Sequence, residues 1–263
     1  MNFLDCIIVI LVAPSHPGNV GSVARAMKTM GLGQLRLVNP KYPKITHHAQ
    51  ARALASGAFD VLDQAQTYDD LPTALADVQW AAGMAHKPRE MQTQVLDSRA
   101  TVNYAHQLIT QQHAERVAFV FGNERTGLLN DELQHCHVLS MIPTDERYTS
   151  LNLAQAVQVY CYEARQVALA ELAALTTAAN PTQSTSALIK SHLIDSHPVT
   201  LATHAQITGM IEHLFEAMRS TGFLQIEHQT KLMPKIQRLF MRLPLEPDEI
   251  NLLRGFCKSV LAQ

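Results

Sequence analysis

Apolar positions along the chain follow two rhythms. Short β-branched runs at residues 6–12, 35–38, 78–82, 117–121 and 138–142, with a weaker one near Val61, have the length and composition of buried strands. Between them, mixed polar and apolar stretches at about 19–30, 48–56, 69–77 and 101–112 predict helices. Gly31 and Gly57 stand where the first two should stop. Strand alternating with helix predicts an α/β fold with a mainly parallel sheet covered on both faces. A longer helical pattern from about 151 to 175 places Leu153, Ala154, Val157, Tyr160 and Cys161 on one stripe. The run TTAANPTQSTS, residues 176–186, is small, polar and proline-containing, as in a linker. Three short helices are expected beyond it, at 205–220, 234–243 and 247–261. Pro234 and Pro247 suit first-turn positions, and Asp248 and Glu249 suit the positive end of the last helix.

Composition narrows the picture only a little. At 263 residues, 47% hydrophobic and 17% charged, the chain is an ordinary globular sequence with room for one large domain, or a medium and a small one. A net charge of −2 means that any nucleic-acid contact has to come from local patches. Four cysteines without a C-x-x-C pair read as buried thiols in a reduced compartment. No apolar run approaches 18 residues, and the first lacks the basic leader and cleavage site of a signal peptide. The expected location is cytoplasmic, with no membrane contact. The histidines of HCH (135–137) and the pair at 47–48 lack the spacing of a zinc site, so no metal is expected. Trp80 and the six tyrosines are too scattered to predict a base-stacking platform.

Candidate chemistry gathers after three strands. SHPGNVGSVARAMKTMG (15–31) follows the first apolar run and looks like a nucleotide loop. It contains neither G-x-G-x-x-G nor G-x-x-x-x-G-K-[ST], and Arg25 sits inside the helix instead. FGNERTGL (121–128) follows VAFV, and IPTDERYTSLNLAQAV (142–157) follows HVLSM. Ligands of open α/β sheets sit beyond strand carboxyl ends, where all three segments fall. Each also has a plainer explanation. Gly18 and Gly21 could serve a tight turn and close helix packing, and Arg25 could be a surface residue. Glu124 could cap the short helix ahead of it, and Ser150 or Asn152 the long one.

Taken together and in this order, P-x-x-P-G-N-V-G-S-V-A-R-A-M (14–27), F-G-N-E-R-x-G-L (121–128) and I-P-x-x-x-x-x-x-S-L-N-L-A-Q-A-V (142–157) resemble the three motifs of the SPOUT-class RNA ribose 2′-O-methyltransferases. Within the class, the nearest likeness is to the branch that methylates cytidine or uridine at tRNA nucleotide 32. The resemblance implies a methyltransferase domain over residues 1–165, its last helix continuing to about 175, with a C-terminal trefoil knot. It also implies S-adenosyl-L-methionine as cofactor, a homodimer with the active site at the subunit interface, and tRNA as partner. By the same resemblance Arg25 and Ser150 are catalytic, and Asn19, Glu124 and Asn152 support the motif loops. Gly83, Met84, Ala85, Gly122, Ile142, Thr149, Ser150 and Leu151 hold the cofactor. The GMAHKPR segment from Gly83 departs from the family's usual T-S-A pattern, while His86, Lys87 and Arg89 keep its basic character.

A linker over 176–200 then leads to a small all-helical extension, residues 201–263. KLMPKIQRLFMR (231–242) holds four basic residues and no acidic one. A helix from Pro234 puts Lys235, Arg238 and Arg242 on one face, a candidate RNA-docking surface together with Arg25, and turns Ile236, Leu239, Phe240 and Leu243 to the other. The motifs specify chemistry better than address, so another tRNA or ribosomal RNA ribose is an alternative. A non-catalytic RNA-binding module with the same fold is a further one.

Overall fold

The computed structural model describes residues 2–85, 95–178, 200–224 and 229–262. Seven strands, β1 (Ile7–Val12), β2 (Gln34–Val38), β3 (Gln66–Tyr68), β4 (Trp80–Met84), β5 (Val95–Asp97), β6 (Val117–Phe121) and β7 (Val138–Met141), form one sheet in the order β3-β2-β1-β6-β4-β7-β5. Every pairing is parallel. The central strand β1 is buried throughout, and its alternate residues feed two separate cores. Ile7, Val9 and Leu11 pack on one side of the sheet, and Ile8, Ile10 and Val12 on the other, as the two-residue period of a strand requires. Parallel strands covered on both faces read as continuous apolar runs, which is why β1 and β6 are so plain in the sequence.

The helices are α1 (Pro17–Met30), α2 (Ala49–Ala55), α3 (Phe59–Asp63), α4 (Leu71–Ala74), α5 (Ser98–Thr110), α6 (Asn130–Leu133), α7 (Leu153–Ala178), α8 (His204–Ser220), α9 (Gln229–Met241) and α10 (Pro247–Leu261). Gly31 ends α1 in the left-handed conformation at φ 87°, a geometry that glycine adopts without Cβ strain. Expectation and structure differ at short elements. The segment around Val61 is α3 rather than a strand, with Val61 and Leu62 pointing into the core. β3 and β5 carry no apolar run because they are three-residue edge strands with mostly exposed side chains. The helix expected over 69–77 shrinks to α4, whose start Asp70 caps through the Thr73 amide. Pro234 lies inside α9 rather than at its first turn. Lacking an N–H there, it cannot donate the one i→i−4 helical hydrogen bond of its position. Leu239 and Leu243, expected on the covered face of this segment, are 42% and 38% exposed.

Two features of connectivity shape the surroundings of the motif loops. β7 inserts between β4 and β5, so β5 joins the sheet only through β7. The helical extension has a small core of its own, built on Ile207, Met210, Ile211, Phe215 and Ile250. It is fastened to the α/β body by backbone hydrogen bonds from His204 to Val78 (2.8 Å), Ala205 to Ala76 (3.2 Å) and Leu201 to His113 (2.7 Å). Among the described residues no helix is long and apolar enough to cross a membrane.

Candidate active site

The glycines of the first motif serve packing. A Cβ on Gly21 would stand 2.0 Å from the Ala51 carbonyl oxygen, so α1 lies against the backbone of α2 with no room for a side chain. Pro17 begins the helix, and His16 ahead of it is extended and offers no side-chain cap. The cap comes from elsewhere. Glu124 accepts the Ser15 hydroxyl (2.7 Å), the Ser15 amide (3.0 Å), the His16 amide (3.1 Å) and the Asn19 carboxamide (3.0 Å). A carboxylate thus sits at the positive end of α1 and satisfies donors that the helix cannot. Glu124 does not cap α6; Glu132 does, accepting the Leu129 amide. Burial pushes the Glu124 carboxyl up, but hydrogen bonds from Asn19 and Ser15 outweigh it and hold the group below its ordinary range.

Asn19 ties the arrangement together. Its Nδ2 donates to Glu124, and its Oδ1 accepts Asn152 Nδ2 at 3.1 Å. Asn152 in turn accepts the Ala154 amide at 2.9 Å and so caps α7. Asn123 Nδ2 donates to the Ala13 carbonyl at 2.7 Å, fixing the second motif to the end of β1. The three sequence motifs, drawn from both ends of the α/β body, are therefore one hydrogen-bonded unit. Gly122 belongs to this construction: a Cβ there would fall 2.1 Å from the Gly127 carbonyl carbon, where the loop folds back on itself.

Around this unit opens a cleft of about 170 Å³. The end of β4 supplies Met84 and Ala85, and the loop after β6 supplies Gly122 and Asn123. Ile142 and the turn Thr149, Ser150 and Leu151 close it from the third motif, with Leu153, Ala156 and Tyr160 of α7. Beneath it runs a buried hydroxyl chain, in which Tyr160 meets Ser140 at 2.7 Å and Ser140 meets Thr101 at 2.5 Å. Burial raises the Tyr160 hydroxyl well above the ordinary tyrosine range, so it remains protonated. Aliphatic walls, backbone groups and two mouth hydroxyls suit a flat, partly apolar ligand with a polar tail.

Seven of the eight expected cofactor residues line this cleft. Gly83 does not: it faces Cys136 and Leu133, where a Cβ would meet Sγ and Cδ2 at 3.0 Å. Its small size serves β4 packing. Arg25 is exposed on α1, six residues past Asn19, and is not part of the cleft wall. Lys235, Arg238 and Arg242 belong to the helical extension and do not reach it. His86, Lys87 and Arg89 lie outside the described residues. Sequence reasoning missed Ser15, Asn123 and Tyr160. The first two stand inside the motifs beside Pro14 and Glu124, and Tyr160 was legible only as a stripe residue.

Comparison with known proteins agrees with this geometry. The SpoU rRNA Methylase family profile matches residues 6–162, and that of the tRNA methyltransferase TrmJ C-terminal domain matches 205–263. The tRNA (cytidine/uridine-2′-O-)-methyltransferase TrmJ of Pectobacterium atrosepticum is 41% identical over 258 residues, 98% of this chain and 97% of the relative. That of Klebsiella pneumoniae is 40% identical over 260 residues, 99% and 98% of the two chains. Among solved structures, TrmJ from Z. mobilis ZM4 superposes with a TM-score of 0.76 at 26% identity, covering 97% of this chain and 99% of that one. A probable methyltransferase from Bordetella pertussis Tohama I gives 0.60 at 42% identity, covering 63% and 98%. A parallel sheet, three interlocked motif loops and two consecutive family matches lead to one assignment: the chain belongs to the SpoU methylase family and carries a TrmJ-type C-terminal domain.

Proposed function

We propose that this enzyme, an S-adenosyl-L-methionine-dependent tRNA 2′-O-methyltransferase, modifies the ribose of cytidine or uridine at nucleotide 32 in the anticodon loop. The observation that carries the reading is the single hydrogen-bonded unit of Asn19, Glu124 and Asn152, which sets three loops around one cleft. The full-length likeness to tRNA (cytidine/uridine-2′-O-)-methyltransferases supports the substrate. S-adenosylmethionine supplies an activated methyl group. The cleft fits it through the aliphatic side chains of Met84, Ile142 and Leu151, the backbone around Gly122 and the hydroxyls of Thr149 and Ser150.

The protein's own task is to place the 2′-oxygen in line and help it lose its proton. Ser150, exposed at the cleft mouth, orients the 2′-hydroxyl. The Arg25 guanidinium, charged at every working pH, binds a phosphate beside the target ribose and stabilises the developing alkoxide; that phosphate accepts the proton. Arg25 stands outside its own cleft and makes no ion pair among the described residues, which supports a homodimer in which it completes the partner's site. The insertion of β7 between the consecutive strands β4 and β5 supports the trefoil knot expected of the family. Residues 201–263 form the tRNA-docking extension, with Lys235, Arg238 and Arg242 toward phosphates, and the enzyme works in the cytoplasm.

The test is transfer of labelled methyl from S-adenosylmethionine to unmodified tRNA transcripts, with the product nucleotide mapped and Arg25→Ala run alongside. The expected product is a 2′-O-methyl group at nucleotide 32 that is lost in the variant. Transfer to a different ribose overturns the address, and absence of transfer to any tRNA overturns the substrate.

A further inference from the structure

A second cavity, about 590 Å³, opens at the amino ends of β4 and β7, between the α/β body and the helical extension. Two of its lining side chains are more than nine-tenths buried and each keeps an unused donor. His137, 8% exposed, accepts the Ala81 amide on Nδ1 at 3.1 Å, so its neutral ring carries the proton on Nε2. Burial pushes this imidazole down to about 4, which keeps it neutral at working pH. Gln79, 6% exposed, accepts the Arg116 amide on Oε1 at 2.9 Å, which leaves its Nε2 group as donor. Among the described residues neither nitrogen has a hydrogen-bond partner. Both side chains are buried while their free nitrogens are not sealed in, so the donors open into the cavity, which is where an acceptor would sit.

The rest of the lining narrows what that acceptor is. Trp80 and Tyr104 form an aromatic wall, their rings 5.4 Å apart, with Tyr104 39% exposed. No local pattern announces such a platform, because the two residues come from different elements, β4 and α5. Arg242 stands in the lining without an ion pair among the described residues, and no carboxylate lines the cavity. A purely apolar ligand would leave the Gln79 and His137 donors unpaired. A small polyanion would meet one cation and two neutral donors. A nucleotide matches all three features: ring face to tyrosine, base carbonyl oxygens to neutral donors, and one phosphate to the arginine.

We propose that this cavity grips an unpaired nucleotide of the bound tRNA other than the one methylated, its base on Tyr104 and its phosphate on Arg242. It lies one strand length from the methylation cleft, about 15 Å along β4. The proposal rests on tRNA being the substrate, and the experiment separates the two. Binding of unmodified tRNA transcript to the full-length protein is measured across a salt series for wild type, Tyr104→Ala, Tyr104→Phe and Arg242→Ala. S-adenosylmethionine affinity and melting temperature are recorded for each.

Tyr104→Ala should weaken tRNA binding about 10-fold with unchanged salt dependence, and Tyr104→Phe should restore it. Arg242→Ala should lower the salt slope by about one phosphate contact. Cofactor affinity should match wild type throughout. A Tyr104→Ala protein that binds tRNA like wild type overturns the cavity assignment alone. So does a loss of tRNA affinity matched by an equal loss of cofactor affinity. A wild-type protein that neither binds nor methylates tRNA overturns the functional reading and this proposal with it.

Discussion

At the carboxyl ends of β1 and β6, each polar side chain of the motif unit is already engaged: Glu124 accepts from Ser15, His16 and Asn19, and Asn19 reaches on to Asn152. At the amino ends of β4 and β7 the opposite holds, since Gln79 and His137 keep open donors and His204, 1% exposed, has an Nε2 with no partner. One end of the sheet is a finished tool, with loops that need no rearrangement to define a cleft. The other end is incomplete polar chemistry beside a cavity, arranged for something the chain itself does not supply. Rigidity and open bonding capacity are thus divided between the two ends of the same sheet.

The contrast can be broken or sharpened by measurement. On the proposed role of Arg25, the largest effect should come from Arg25→Ala, which leaves the prebuilt cleft intact because Arg25 is not part of its wall. Methyl transfer should fall roughly 10²- to 10³-fold while calorimetry finds cofactor affinity unchanged. Next is Glu124→Ala, which strands the Ser15 and His16 amides and the Asn19 carboxamide. Urea unfolding should report a loss of about 3 kcal/mol, and a wild-type midpoint would mean that the motif unit is not what fixes these loops. Acid should then distinguish the two ends. His137 and His204 are pushed down by burial to about 4 and about 3, whereas the unfolded chain takes up protons near the ordinary 6.5. Their contribution is complete above pH 6.5 and is lost as pH falls toward 4 and then 3.

Glu124, lowered instead from 4.5, keeps its contribution until pH falls below that value. Between pH 6.5 and 5 the histidine end should therefore weaken first, by about 3 kcal/mol for the two imidazoles together. Amide exchange should rise at the His204 anchor before it rises at Asn19. The smallest effect should be Lys235→Ala, an exposed cation, with a few-fold weaker tRNA binding and a slightly shallower salt slope.

Much of this was legible in the sequence, and the remainder was hidden for physical reasons. β1 and β6 stand out because strands buried on both faces must be apolar throughout, whereas β3 and β5 are exposed edges whose composition carries no signal. The cleft residues were legible because the motif loops are local: Met84, Ile142 and the turn at Ser150 end a strand, directly follow one or open a helix. Gly83 stands outside the cleft wall, because size alone does not say which side of a strand needs the space, and here it is the side of Cys136 and Leu133. The donors at Gln79 and His137 could not have been found in advance. Whether a carboxamide or an imidazole is satisfied depends on which backbone amides, those of Arg116 and Ala81, come to it across the sheet.

The place of β7 between β4 and β5 has a consequence for how the molecule comes into being. Until β7 is laid down, β5 has no strand to pair with and the cleft lacks the Ile142 and Ser150 walls. A nascent chain that has emerged only through β6 carries β1, β2, β3, β4 and β6 but only part of the cleft wall. Closing the sheet and the cleft together depends on one non-local pairing, that of β7 with β4 and β5, and that step should set the pace of folding.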